Sequence, residues 1–195
     1  MRRIFGSLLL GVIFLLTSAQ VGAIPMELIP SSYSFTPSAV NYLDTGGVEL
    51  TDGFYGGGQY HIGNWVGWWN PALVSITFDF GSATKIGEID VGTLEDASGG
   101  VYIPTTVTVM SSENGMTWTT ETSASRPSSP SEGHYTVEFE GLTIDARYVQ
   151  IQASRYGEWV FMDEVDFFVP EPATALLLGL GLAGLSLAGQ RRGSA

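Results

Sequence analysis

The feature that most limits what this chain folds into is a two-residue rhythm of apolar and polar side chains between its apolar ends. In "LVSITFDF", Val74, Ile76, Phe78 and Phe80 alternate with Ser75, Thr77 and Asp79. The same beat runs through "TTVTVM" (Val107, Val109), "YTVEFEGL" (Val137, Phe139) and "YVQIQA" (Val149, Ile151). Successive side chains of an extended backbone point to opposite faces, so this pattern describes strands with one buried face. It predicts about eight strands, punctuated by Gly, Pro, Ser and Asn, and no apolar helix between the two ends. Asn114-Gly115, ahead of Trp118, is a hairpin signal because both residues tolerate positive φ. "SASRPSSPSEG", Ser123 to Gly133, reads as a polar loop. Many short strands at this spacing predict an all-β antiparallel jelly-roll or sandwich.

The two ends are addresses rather than parts of that fold. Residues 1–23 open with Arg2 and Arg3, continue through an apolar run from Ile4 to Leu16, and end on Val21 and Ala23, spaced for cleavage after Ala23. That order is a secretory signal peptide, shorter in its apolar part than the roughly 20 residues a membrane span needs. At the other end, Pro170-Glu171-Pro172 halts any strand, because proline donates no ladder hydrogen bond. The uncharged run Ala173–Gly189 follows, long enough as a helix for about 26 Å of membrane. Arg191 and Arg192 would hold its far end on the cytoplasmic side. "GLGLAG" within it fits a dinucleotide-site glycine pattern, but neither the strand nor the acidic residue such a site needs is nearby. Small residues of a membrane helix explain it better.

Between these signals, residues 24–169 have the length of one domain. They hold four basic residues against nineteen acidic ones, a net charge of −15. Such a surface does not suit nucleic acid, which needs lysine and arginine against phosphates. It suits a solvated extracellular protein or one with a cation site. The absence of cysteine excludes disulfides and thiol catalysis.

One stretch breaks the rhythm. "DGFYGGGQYHIGNWVGWWN", Asp52 to Asn70, packs three tryptophans and two tyrosines into glycine-rich sequence with neither a helical nor a strand period. It reads as a loop whose aromatic surface is either core material or a ligand platform. Of the neighbours Trp68 and Trp69, alternation buries one and exposes the other; Trp69 is taken as the exposed one. Tyr55, Tyr60 and His61 sit at the loop tip, beside Gly56-Gly57-Gly58.

Taken in order, "ELTDG", the aromatic loop with "WVGWW", "SITFDFGSATKIGEIDV", "GGVYIPTTVTVMSSENGMTW", "ARYVQIQA" and "WVFMDEVDFF" resemble the discoidin, or coagulation-factor C-type, domain of the galactose-binding-like superfamily. The likeness covers about residues 47–169, with Asn114 where the family's hairpin usually carries aspartate. It implies a five-on-three antiparallel jelly roll that binds sugars through loops at one end, with Trp65 plugging the barrel. It also implies one structural calcium, with Asp52 and Glu164 as side-chain ligands and carbonyls around Val48–Phe54 completing the shell. The hydroxyl ligand usual in the family has no clear match here. The tail (residues 170–195: Pro-Glu-Pro, apolar span, arginine cluster) resembles the PEP-CTERM sorting signal of exopolysaccharide-producing Gram-negative bacteria. That implies transient residence in the inner membrane, cutting by an exosortase and delivery to the cell surface or extracellular matrix.

A sugar lays its C–H face on an aromatic ring and turns its rim hydroxyls to fixed polar partners. Tyr55, Trp69, Tyr156 and Trp159 are candidate platforms, and His61, Asn64 and Arg155 candidate hydrogen-bonding partners. Catalytic patterns are weak. Ser82-x-x-Lys85 lacks its partner motifs, His61 and His134 are the only histidines, and Glu88/Asp90 and Asp163/Glu164 are carboxylate pairs of unknown orientation. The sequence therefore favours an exported, non-catalytic module that binds exopolysaccharide or other surface glycan. A biofilm-matrix protein that keeps the fold without a sugar site is its rival, ahead of a small glycan-active enzyme.

Overall fold

The computed structural model describes residues 26–170. The expected signal peptide and the apolar sorting segment lie outside the described residues. Within them no helix is long and apolar enough to cross a membrane.

Among the described residues nine strands form two antiparallel sheets: β1 Ser32–Thr36, β2 Val66–Trp69, β3 Leu73–Ile86, β4 Glu88–Glu95, β5 Thr106–Ser112, β6 Thr119–Ser125, β7 Gly133–Phe139, β8 Ile144–Ser154 and β9 Trp159–Phe168. The larger sheet has the order β1-β3-β8-β5-β6 and the smaller β2-β9-β4-β7. The sandwich is therefore five-on-four rather than five-on-three. The fourth strand of the small sheet is the end of the aromatic stretch, Val66–Trp69, which the sequence reads as loop. It becomes a strand by pairing with β9, a partner about ninety residues away, over the register Val66↔Met162 to Trp69↔Trp159.

The alternation does what it predicts. Val74, Ile76 and Phe78 of β3, Val107 and Val109 of β5, and Val149 and Ile151 of β8 bury their side chains between the sheets. At Asn114-Gly115 only Gly115 takes positive φ; Asn114 instead accepts hydrogen bonds from the backbone N–H groups of Met116 and Thr117 through its side chain.

Burial is two-sided along most of β9, from Val160 to Phe167, and along β4 from Val91 to Glu95. Val160, Met162, Val165 and Phe167 face the main core. On the outer face Phe161 joins Trp65, Leu94 and Val101 in a second, smaller core. Trp65 is thus a fold residue, as its position in the resembling family implies. Between the two halves, a bulge opposite Gly92 shifts the register with β4, from Val91↔Val165 to Thr93↔Met162. Gly92 is required there, since a Cβ would lie 1.9 Å from Oδ1 of Asp163.

The strands define two poles. Trp159 and Phe168 stand at opposite ends of β9, about 30 Å apart at a strand's rise. Trp69, the β8–β9 turn and the β4–β5 connection share the first pole. Glu27 bridges Phe168, and Val169 donates to the carbonyl of Met26, so both ends of the described segment leave at the second pole.

Candidate functional site

At the first pole, the last residue of β2 and the first of β9 are register partners, and both are tryptophans. The rings of Trp69 and Trp159 lie 6.4 Å apart with a tilt of 42°. Trp68, one residue earlier, is fully buried, while Trp69 is 59% exposed. Alternation on a strand that covers the core on one face produces that split. Asn70 follows with φ of 52°, its N–H donating to the carbonyl of Glu158 across 2.6 Å.

This contact ties the strand end to the β8–β9 turn, where Arg155 and Tyr156 are exposed. The Nη1 of Arg155 donates to Oδ1 of Asn70 and to the carbonyl of Gly157. Tyr156 is held from below. The Arg126 guanidinium sits 4.3 Å from its ring centre, and Tyr102 meets it edge-on at 5.6 Å. Arg126 is anchored by an ion pair to buried Glu95, whose other oxygen accepts from the N–H of Ile103. Gly157 has no room for a side chain, because a Cβ would come within 2.0 Å of the Tyr102 ring.

His61 stands further along the same pole, reached through a chain of rings. Trp159 contacts Tyr42 at 5.7 Å, Tyr42 contacts Tyr60 at 6.3 Å, and Tyr60 contacts His61 at 5.1 Å. The N–H of Tyr60 donates to Asp96, whose carboxyl lies below the usual range chiefly through the Ser98 hydroxyl. Asn64 is exposed in the loop just before β2.

Tyr55 is set apart. Its phenol donates to Oδ2 of Asp166 at 2.8 Å, on the outer face of the small sheet, and its ring packs edge-on against His134. Here the aromatic loop is fastened to β9 by carboxylates. Asp163, fully buried, accepts from the N–H of Gly56 at 2.6 Å and from that of Glu164 at 2.8 Å. The Nε2 of His134 lies 2.8 Å from Oδ2 of Asp163, off the line of an ideal hydrogen bond. That contact raises the histidine's pKa. His134 itself lies in β7, just after the polar loop.

Glu164 is also buried, and its Oε2 accepts from the N–H of Gly53. Burial first, and then the charge of Asp166, push its carboxyl up to about 8. Asp52 adds to that field while its own Oδ1 accepts from the N–H of Phe54. Burial likewise raises Asp166. Among the described residues no three His, Asp or Glu side chains stand close enough together to share a metal ion. A calcium here would draw on Asp52, Glu164 and loop carbonyls. The charges acting on buried Glu164 come from Asp52, Asp163 and Asp166, all of them acidic.

The family model for the F5/8 type C domain matches residues 43–165. The chain belongs to that family. In this F5/8 type C protein, residues 168–192 match the PEP-CTERM protein-sorting motif, the mark of an exported protein bound for the cell surface or beyond. No curated protein matches the chain. Solved structures share the fold at low identity. CBM32-3 from a family 31 glycoside hydrolase of Clostridium perfringens is 17% identical with a TM-score of 0.54, covering 73% of this chain and 94% of its own. CpGH89CBM32-5 of the same organism, in complex with GalNAc-β-1,3-galactose, is 14% identical with a TM-score of 0.53, covering 74% and 100%. The CBM32 of AlyQ, in complex with 4,5-unsaturated mannuronic acid, is 14% identical with a TM-score of 0.50, covering 73% and 98%.

Sequence reasoning missed the supports of the rim: Tyr42, Asn70, Tyr102 and Arg126. It also missed Asp163, His134 and Asp166 as the loop's fastenings. "Trp69-Asn70-Pro71" was the one local hint, since asparagine tolerates the positive φ that a sharp strand exit requires.

Proposed function

We propose that this protein is a non-catalytic glycan-binding module, with its site on the Trp69–Trp159 rim. One observation carries the reading: Trp69 remains exposed beside Trp159 on a rigid strand pair, with the Arg155 guanidinium held next to it. Exposed ring area with little rotamer entropy to lose, flanked by fixed donors, suits a sugar's C–H face and hydroxyl rim. Trp69, Trp159, Tyr156 and Arg155 form the centre, with His61 and Asn64 on its flank. Tyr55 serves loop docking in this reading, because its hydroxyl is already engaged by Asp166.

The placement agrees with export. The sorting motif begins at the second pole, so the rim points away from wherever the chain's C-terminal end is held. On this reading the chain passes through the inner membrane of a Gram-negative bacterium, an exosortase acts on its C-terminal signal, and the domain meets polysaccharide at the cell surface or in a biofilm matrix. One structural calcium, held by Asp52, Glu164 and loop carbonyls, would neutralise the acids that clasp the loop. The two relatives with bound sugars carry a neutral disaccharide and an unsaturated uronic acid. The fold itself therefore does not choose the ligand.

A glycan array probed with the detergent-solubilised full-length chain tests the reading. Selective signal that Trp69→Ala removes supports it. A flat response to neutral and acidic bacterial polysaccharides supports the matrix-protein alternative. Hydrolysis or elimination products from a bound glycan would make the protein an enzyme.

A further inference from the structure

The glycan recognised at this rim is, we infer, an acidic one: its carboxylate docks on Arg155 while neighbouring sugar faces lie on the tryptophans. The inference rests on the rim being the glycan site and adds the chemical class of the ligand. It starts from the four basic side chains among the described residues. Lys85 pairs with Asp145, Arg126 with Glu95 and Arg147 with Asp79. Arg155 alone has no carboxylate within ion-pair distance, in a chain where acids outnumber bases 20 to 8. In so acidic a protein an unpaired arginine is the exception. This one stands at the aromatic pole.

Its geometry is that of a prepared fork. Nη1 is committed to Asn70 and to the carbonyl of Gly157, which fixes the guanidinium plane. The remaining donors, on Nη2 and Nε, make no hydrogen bond among the described residues. A guanidinium edge so fixed matches the two oxygens of a carboxylate and binds them bidentately, with less entropy to lose than a free side chain. The Arg155 backbone is held as well, its carbonyl accepting from the hydroxyl of Thr105 at 2.9 Å. Two sets of rings adjoin the turn: Trp69 with Trp159, and Tyr156 stacked over Arg126. Two sets of rings near one cation suit a polymer of at least two residues, one of them acidic. Glu158, exposed in the same turn, makes no ion pair with Arg155 and opposes an anionic ligand. Its removal therefore belongs in the test.

The experiment measures retention of the full-length chain in affinity gels. The probes are alginate, polygalacturonate and a glucuronan, each beside its carboxyl-reduced counterpart, with calcium the same in every arm. The inference predicts that at least one polyuronate binds about tenfold or more tightly than its reduced form, since a charged hydrogen-bonded pair is lost on reduction. Arg155→Gln should erase that difference, Arg155→Lys should restore part of it, and Glu158→Gln should widen it. Added salt should narrow it. Equal binding to native and reduced polymers, abolished in both by Trp69→Ala, would overturn the acidic class and leave glycan binding standing. No binding to any member of the panel or of the glycan array would overturn both. The wild-type polymer comparison decides the matter even if an arginine variant folds poorly.

Discussion

Strand β9 contains two halves that face the same way and do different things. From Trp159 to Phe161 its outer face is aromatic and packs a small second core under the rim. From Asp163 to Asp166 the same face is acidic, and each of its three carboxylates holds a group of the aromatic loop: Gly56, Gly53 and Tyr55. In the acidic half each carboxylate has at least one oxygen engaged by the loop, which marks these groups as fastenings. Beside the rim half the Trp69 indole of β2 stays in water and the Arg155 guanidinium of the β8–β9 turn makes hydrogen bonds through Nη1 alone among the described residues, an arrangement that folding alone does not call for. The bulge at Asp163–Glu164 is where one behaviour gives way to the other.

The comparison breaks most sharply at Asp163. Replacing it with alanine leaves two backbone N–H groups and His134 without their partner in a buried setting. A loss of about 3–5 kcal/mol is expected, read as a fall in the urea midpoint. If Asp163→Ala unfolds at the wild-type midpoint, the acidic half is not what fastens the loop. Calcium comes next. At a hundredfold excess over its dissociation constant, a bound ion stabilises the fold by about 2.7 kcal/mol. Melting should therefore occur several degrees higher in calcium than in chelator. Glu164→Gln should close most of that gap, and an equal midpoint in both buffers would show that no ion is held.

Trp69→Ala sharpens the other side. An exposed tryptophan at a binding centre is expected to cost about 2 kcal/mol of glycan affinity or more, while stability changes by only about 0.5 kcal/mol. A large stability loss with binding intact would reverse its assignment.

The smallest effect concerns Asp90, which faces Glu138 and Asp166 across the neighbouring strands. Burial, and then the charges of Glu88 and Glu138, push its carboxyl up to about 6. The folded state thus holds a proton that the unfolded chain has already released, so stability falls as pH rises from about 4 to 6 and stays low above. Asp90→Asn should raise the melting temperature at pH 7.5 and leave it unchanged near pH 4. The opposite pH order would mean that the carboxyl is not raised.

Much of this could be read from the chain. Period two gave the strands because side-chain direction alternates locally, and Trp69 could be chosen over Trp68 by the same logic. Strand β2 was not legible, because four residues amid glycines become a strand only when β9 lies alongside. Tyr55 looked like a neighbour of Trp69 for the opposite reason. Shared sequence suggested a shared site, whereas the loop carries it along the sheet to Asp166.

The sequence by itself settled the all-β class, the alternation of buried and exposed faces and the C-terminal sorting signal. Each of these depends on residues a few positions apart. The tertiary structure decided which polar groups are used up and which stay open. Gly53 and Glu164 meet across 111 residues of chain, and Arg155 and Asn70 across 85. No local pattern records such pairings. They exist only because burial between two sheets brings distant strands together, and the few groups left unpaired at the rim are what that packing leaves open.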